Sequence, residues 1–250
     1  MQEIAHKQTK ESIIKIIGIL KKMNLEIDIM TSSIGLGESL KGRFNLNLYG
    51  NYPSNVYNLE AVLELNNFEV LCISPEIYKK NIKDLMEDYH KELSKNNTTL
   101  PELEVLVHGN IESMITRKEL ISKKQLKLIN KYNKNHGKSF DDCYIDSNEY
   151  SLKNRKGQFY PIKTNLNEDN MIILNSEELC LFEDINYLKS IGIFNFSIDA
   201  RWKSLEYIED IGKAYRELID EKTDDIDESK KTIDKHCPNL TKANFDKGLK

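Results

Sequence analysis

The sequence predicts an α/β fold: a partial (β/α) barrel of about four βα units followed by a smaller αβ domain. Three observations carry this expectation. Up to Gly109, short apolar strands alternate with helical stretches of roughly 10 to 18 residues, the pattern of a parallel sheet under covering helices. The alternation stops after about four strands, where a closed barrel of this kind has about eight. After Lys118 a hairpin and further αβ elements take over. The domains are accordingly expected at residues 1–118 and 119–250, the first holding half a barrel and the second the hairpin and a charged tail.

The elements follow in order. Glu11 to Met23 sets Ile13, Ile14, Ile17 and Leu20 along one helical side, with Asn24 as a stop. Leu25 to Met30 alternates as a strand, and Thr31 to Gly37 reads as a Ser/Gly loop. Arg43 to Gly50 is a second strand, and after the Tyr52-Pro53-Ser54 break Asn55 to Asn67 has helical spacing. Phe68 to Ser74 reads as a buried strand, Pro75 to Leu93 as a helix opening on proline, and Leu103 to Gly109 as one more strand. Beyond it come a basic helical stretch, KKQLKLINKYNK, and a polar loop from His136 to Asp142. Glu149–Lys153 and Gln158–Lys163 flank Asn154-Arg155-Lys156-Gly157, a hairpin turn in which Gly157 takes the positive φ. Met171 to Leu174 is a strand, Glu178 to Ile191 a helix, Phe194 to Ile198 a strand and Ser204 to Asp220 a helix. The tail from Glu221 is charge-rich and expected to be mobile as far as Cys237.

Composition narrows the function classes. A chain of 250 residues can bury a proper core, and 39% hydrophobic with 30% charged residues is the balance of a soluble globular protein. With 36 basic against 40 acidic residues there is no global positive field to hold nucleic acid. Cys72, Cys143, Cys180 and Cys237 are widely spaced and form no CxxC pair, which points to a reduced, cytoplasmic setting. No segment has the ~18 to 20 apolar residues of a membrane span, so no membrane partner is expected.

In parallel α/β folds the loops after the strands carry the chemistry. Gly50-Asn51-Tyr52, Ser74-Pro75-Glu76 and His108-Gly109-Asn110 are such ends. Glu76 and His108 end consecutive strands, where they can form an acid/base pair with the carboxylate orienting the imidazole. The alternative is structural: Glu76 favours a helix dipole and His108 caps a strand. Cys72 and Cys180 read as packed small hydrophobes, and Cys143, beside Asp141 and Asp142, as a poor nucleophile. Arg155, Lys156, Arg201 and Lys203, with Tyr160 and Trp202 for stacking, make either a basic spot for RNA phosphate or a solvated rim.

LKNRKGQFYPI, IILNSEELCL and FSIDARWKSLEYIEDIGKAYRELID, in that order and spacing, resemble the last part of the collagenase-like peptidases, family 32 of the unclassified (U) peptidases. Upstream, NVYNLEAVLE, CISPEI and ELEVLVHGN resemble its barrel strands, and NLTKANFDKGLK is similar to its C-terminal end. The resemblance runs from about Leu46 onward and implies the second half of a (β/α) barrel with a further domain. It implies proteolysis, including collagen-directed activity; relatives are required for base hydroxylation in tRNA or ribosomal RNA and for ubiquinone hydroxylation, often with cysteines holding an iron-sulfur cluster. The family signature resembles Glu-x-Phe-x-His-Gly-Ala-Leu-Cys-x-x-x-x-Gly-x-Cys. Glu104, His108 and Gly109 match it, but Glu112 and Glu119 replace the two cysteines, and a later Cys-x-Pro-Cys-like group is absent. Cys180 matches the family's Asn-Ser-x-x-Leu-Cys, and Asp199-Ala200-Arg201 stands for its Glu-Gly-Arg.

The expectation is a peptidase of this family, truncated or partner-dependent, acting on a peptide or protein substrate. His108 is expected as base to a water, with Glu76 and Glu112 as carboxylates, and Asn51, Asn110, Arg117, Arg155 and Arg201 as substrate-binding groups. No metal ligands are expected. Carboxylates do not replace thiolates around iron-sulfur, so no such cluster is expected either, and the cofactor is left unknown. The alternative is an accessory factor for tRNA or rRNA hydroxylation. A third reading pairs an inactive half-protein with a separate N-terminal half, or with copies of itself, to complete the barrel.

Overall fold

Strands β1 (Asp28–Thr31), β2 (Asn47–Gly50), β3 (Val70–Ile73) and β4 (Glu102–Gly109) lie side by side and parallel, in chain order, in the computed structural model. The structure describes residues 7–95, 99–117, 150–165, 170–221 and 226–247. Helices α1 (Lys7–Lys22), α2 (Ile34–Phe44), α3 (Leu59–Glu64) and α4 (Lys79–Leu93) alternate with the strands. Leu48, Leu71, Cys72, Ile73, Val105 and Val107 are all buried, which is why these strands read as apolar runs. The expected order of elements is therefore present.

One helix lies where a loop was expected. The segment Ile34–Phe44 contains Gly35, Gly37 and Gly42, which lower helix propensity and mimic a turn. Burial of Leu36, Gly37 and Leu40 overrides that preference, and Asn45 ends the helix in the left-handed conformation with its N–H on Lys41 O.

After β4 the chain forms an antiparallel sheet, β5 (Glu112–Thr116), β6 (Ser151–Lys153), β7 (Phe159–Asn165) and β8 (Asn170–Leu174), in the order β5-β8-β7-β6. The hairpin is where the sequence placed it. Asn154 Oδ1 accepts from the N–H groups of Lys156 and Gln158, and Gly157 takes φ +85°. The basic stretch from 123, the loop at 136–142, Glu119 and Cys143 lie outside the described residues.

The chain then continues as β9 (Glu178–Cys180), α5 (Ile185–Ser190), β10 (Asn195–Asp199), α6 (Leu205–Ile219), α7 (Ile226–His236) and β11 (Leu240–Thr241). β10 pairs parallel with β4, and β9 pairs antiparallel with the end of β4 through His108 and Gly109. This differs from the expected division at residue 118. One unit comprises Met1–Gly109 with Leu179–Lys250, and the other is Asn110–Glu178. The C-terminal elements thus share the parallel sheet and do not form a separate αβ domain. Among the described residues β1 pairs only with β2 and β10 only with β4, so the parallel sheet is open.

Two local expectations are corrected as well. Glu178–Cys180 is a strand, because backbone pairing with β4 outweighs the helical spacing read there. The charged tail is helix α7, whose sparse apolar stripe buries Ser229 and Ile233 and delivers Cys237 to the core. Its acidic first turn and basic last turn suit the helix dipole, which the composition alone had made look like a solvated run. Helix α6 is capped by Ser204, whose hydroxyl accepts from Tyr207 N–H at 3.2 Å, and buries Tyr207, Ile211, Ala214, Tyr215 and Leu218.

Candidate functional site

A cavity of about 380 Å3 opens at the C-terminal ends of the parallel strands. Its walls are Met30 to Ser32 at the end of β1, Asn51 and Tyr52 after β2, Glu104 and Leu106 on β4, and Ser197 to Arg201 at the end of β10. Both end strands, β1 and β10, line one hollow, so the open sheet curls around it. This is where ligands sit in open α/β sheets.

Local chemistry fixes these side chains. The Asn51 carboxamide oxygen accepts from Tyr52 N–H at 2.8 Å, starting a short 3-10 turn, while Asn51 N–H donates to Thr31 O at 3.1 Å and ties the ends of β1 and β2 together. Arg201 grips Asp199 with a fork: Nε donates to Oδ1 at 2.9 Å and Nη2 to Oδ2 at 2.6 Å. Bidentate geometry of this kind orients as well as binds. The guanidinium also lies 4.8 Å from the Trp202 ring centroid, and Trp202 takes the left-handed conformation at φ +64°. With Asp199 and Arg201 compensating each other, the Glu104 carboxylate gives the hollow its net negative character. Cys72 pairs with Glu104 across β3 and β4; burial pushes its thiol well up and the Glu104 charge adds to this, so it is a poor nucleophile.

Of the expected site residues, Asn51 and Arg201 are brought together in this hollow. Glu104, Ser197 and Asp199 join them without having been expected. The signal for Glu104 was available: it is the one charge in LEVLVHG and shares parity with Leu106. Glu76 is exposed in the loop after β3, where it accepts a hydrogen bond from Tyr57 Oη at 2.8 Å. Burial is the first cause that raises the Tyr57 hydroxyl, and Glu76 adds to it. Asn110, Glu112, Arg117 and Arg155 belong to the unit Asn110–Glu178, with Glu112 half-buried on β5 opposite Leu174, and Arg155 exposed in the hairpin turn.

His108 does not line the hollow. Ser197 pairs with Leu106 and Ile198 with His108, which leaves Val107 as an extra residue on β4. Such a bulge re-aims the side chains beyond it. His108 is 0% exposed, with Nδ1 3.2 Å from Tyr215 Oη and Nε2 3.6 Å from Cys237 Sγ. Tyr215 Oη donates to Val107 O at 3.0 Å, so it meets Nδ1 as an acceptor and Nδ1 carries a proton. Cys180 Sγ is 3.7 Å from the same hydroxyl. Burial raises both the Tyr215 hydroxyl and the Cys180 thiol, keeping them protonated.

A family model described as Peptidase family U32 matches residues 1–249. The chain belongs to peptidase family U32. The match also covers the segment before Leu46, where the sequence resemblance had begun. No curated protein matches this U32 chain, and no solved structure does. Iron-sulfur clusters are held by thiolates. In this U32 chain Glu112 offers hard carboxylate oxygens where the signature resemblance has a cysteine, and such oxygens do not stand in for a cluster thiolate. Among the described residues no helix is long and apolar enough to cross a membrane.

Proposed function

We propose that this U32 chain binds and hydrolyses peptides in the hollow at the strand ends. The observation that carries this reading is the Glu104 carboxylate standing in the same cavity as the oriented Arg201. Glu104 takes the proton of an attacking water and returns it to the leaving amine as the C–N bond breaks, while Arg201, with the Asn51 carboxamide, faces the oxyanion formed at the peptide carbonyl. His108 has a positioning role, holding the end of β4 against α6. Asn110, Arg117 and Arg155 are substrate-binding candidates carried by the unit Asn110–Glu178, and Glu76 and Glu112 stand outside the chemistry. Cleavage of a gelatin-derived peptide library by the purified chain, followed by mass spectrometry, tests the reading. Products are expected with wild type and about 100-fold slower with Glu104→Gln; no cleavage, or equal cleavage by the variant, overturns it.

Among the described residues β1 pairs on one side only, and this, with Met30 at 54% exposure, favours a strand-bearing partner chain that extends the sheet there. A size measurement on the pure chain, alone and with its candidate partner, tests this. A second reading rests on a different feature. Arg201 lies over Trp202, with Lys203 next in the chain, a cationic and aromatic spot suited to an unstacked RNA base. Salt-dependent binding of a single-stranded RNA that weakens in Trp202→Ala favours this accessory role over proteolysis.

A further inference from the structure

Helices α6 and α7 carry a polar cluster outside the hollow, with the ligand types of a metal centre. Glu206 and Asp210 are four residues apart on α6, which puts both carboxylates on one helical face. His236 is the last residue of α7. One oxygen from each carboxylate and one imidazole nitrogen all lie within 4.8 Å of one another. The imidazole is well oriented: Nε2 is 2.7 Å from Asp210 Oδ2, the ring meets Tyr207 edge-on at a centroid distance of 5.8 Å, and its side chain is 12% exposed.

We propose that Glu206, Asp210 and His236 bind a divalent transition metal of the zinc class. One nitrogen and two oxygen donors suit zinc and its first-row neighbours, whereas calcium and magnesium take oxygen ligands. Charge balance supports the exchange. Lys235 Nζ lies 3.1 Å from Glu206 Oε1 and 4.0 Å from Asp210 Oδ2, and a proton bridges His236 and Asp210. A dication replaces that ammonium and that proton against the same two carboxylates. Bonds of about 2.0 to 2.2 Å to a tetrahedral ion set its ligand atoms roughly 3.3 Å apart, so the three groups need to shift by about an ångström or less. Asp210 also lines a cavity of about 250 Å3 with Glu217, Glu228 and Thr232, which leaves room for water to complete the coordination.

The consequence is a staple between two helices. Cys237, the residue after His236, packs against His108, so metal held at the end of α7 fastens the segment that closes the buried His108 cluster. This inference is independent of what the strand-end hollow binds. The competing assignment is an ion-paired clamp in which Lys235 is the permanent cation.

Titration of the tag-free full chain with zinc chloride by calorimetry, and with cobalt chloride by visible absorption, distinguishes the two. A saturable site is expected, weakened more than about tenfold in His236→Gln and Asp210→Asn. Lys235→Met, which removes the competing ammonium, is expected to bind zinc several-fold more tightly and remains informative if the ligand variants fail to fold. Absence of saturable binding to wild type, unchanged affinity in His236→Gln, or weaker binding in Lys235→Met overturns the proposal.

Discussion

Strand β4 serves two polar neighbourhoods that differ in almost every physical respect. Glu104 lies in a hollow with Asn51, Asp199 and Arg201, open to a ligand. A few residues on, His108 is sealed among Tyr215, Tyr207 and Cys237. One extra residue, Val107, separates the two arrangements. The lesson is that a polar side chain at a strand end faces an open hollow or a sealed core according to the register of the pleat, and residue type alone does not choose.

The comparison can be broken most sharply at the junction. Gly109 has φ +127°, and a Cβ added there would meet Asp199 O at 2.4 Å. Gly109→Ala is expected to cost roughly 3 kcal/mol or more in urea unfolding and to loosen the Asp199–Arg201 corner too. A cost below about 1 kcal/mol would show that the two strand ends are not locked together. His108→Ala should come next, at roughly 2 to 4 kcal/mol, because it empties a fully buried site. Glu104→Gln is the contrast: stability should stay within about 0.5 kcal/mol while peptide turnover falls. If His108→Ala instead left stability untouched and abolished turnover, the division between pin and site would be lost.

Tyr215→Phe sharpens the sealed side. It removes the donor to Val107 O and the hydroxyl beside His108 Nδ1, at an expected cost of about 1 to 3 kcal/mol measured by denaturant midpoint. The smallest effect is expected in acid. Lys79 holds the Asp246 carboxyl below its ordinary range, and Lys230 does the same for Glu183. A depressed carboxylate stabilises the fold above its unfolded pKa of about 4, and that contribution fades as pH falls through the lower folded value. Lys79→Met should therefore flatten the decline of Tm with acidification below about pH 5, read by thermal melts.

Much of the parallel sheet was legible because strands buried on both faces leave unbroken apolar runs, as in VLCI and VLV. The helix at Ile34–Phe44 was not, since its glycines announce a turn and only the burial of Leu36 and Leu40 pays for the helix. Helix α7 was hidden by the same kind of effect: Ile233 and Cys237 are too few apolar positions to stand out among charges. Asn51, expected from strand-end logic, and Arg201, from the Asp199-Ala200-Arg201 pattern, line the same hollow. His108 was read as a base at the strand end, beside Glu76, because a bulge leaves no trace in periodicity, and the membership of β10 in the sheet was invisible because pairing across an inserted unit has no local signature.

That long-range pairing has a consequence for how the protein is made. Glu104 finds Asn195 only after roughly 90 further residues have left the ribosome, including the whole of the unit that begins at Asn110. Until then one edge of β4 is unclaimed, and the apolar surface that α6 covers is bare. Closing so long a loop raises contact order and slows folding, and an exposed strand edge invites mispairing with other chains. Stalled or truncated chains ending before Phe194 should therefore be the species that engages chaperones, while release of α6 and α7 converts an aggregation-prone intermediate into the finished sheet.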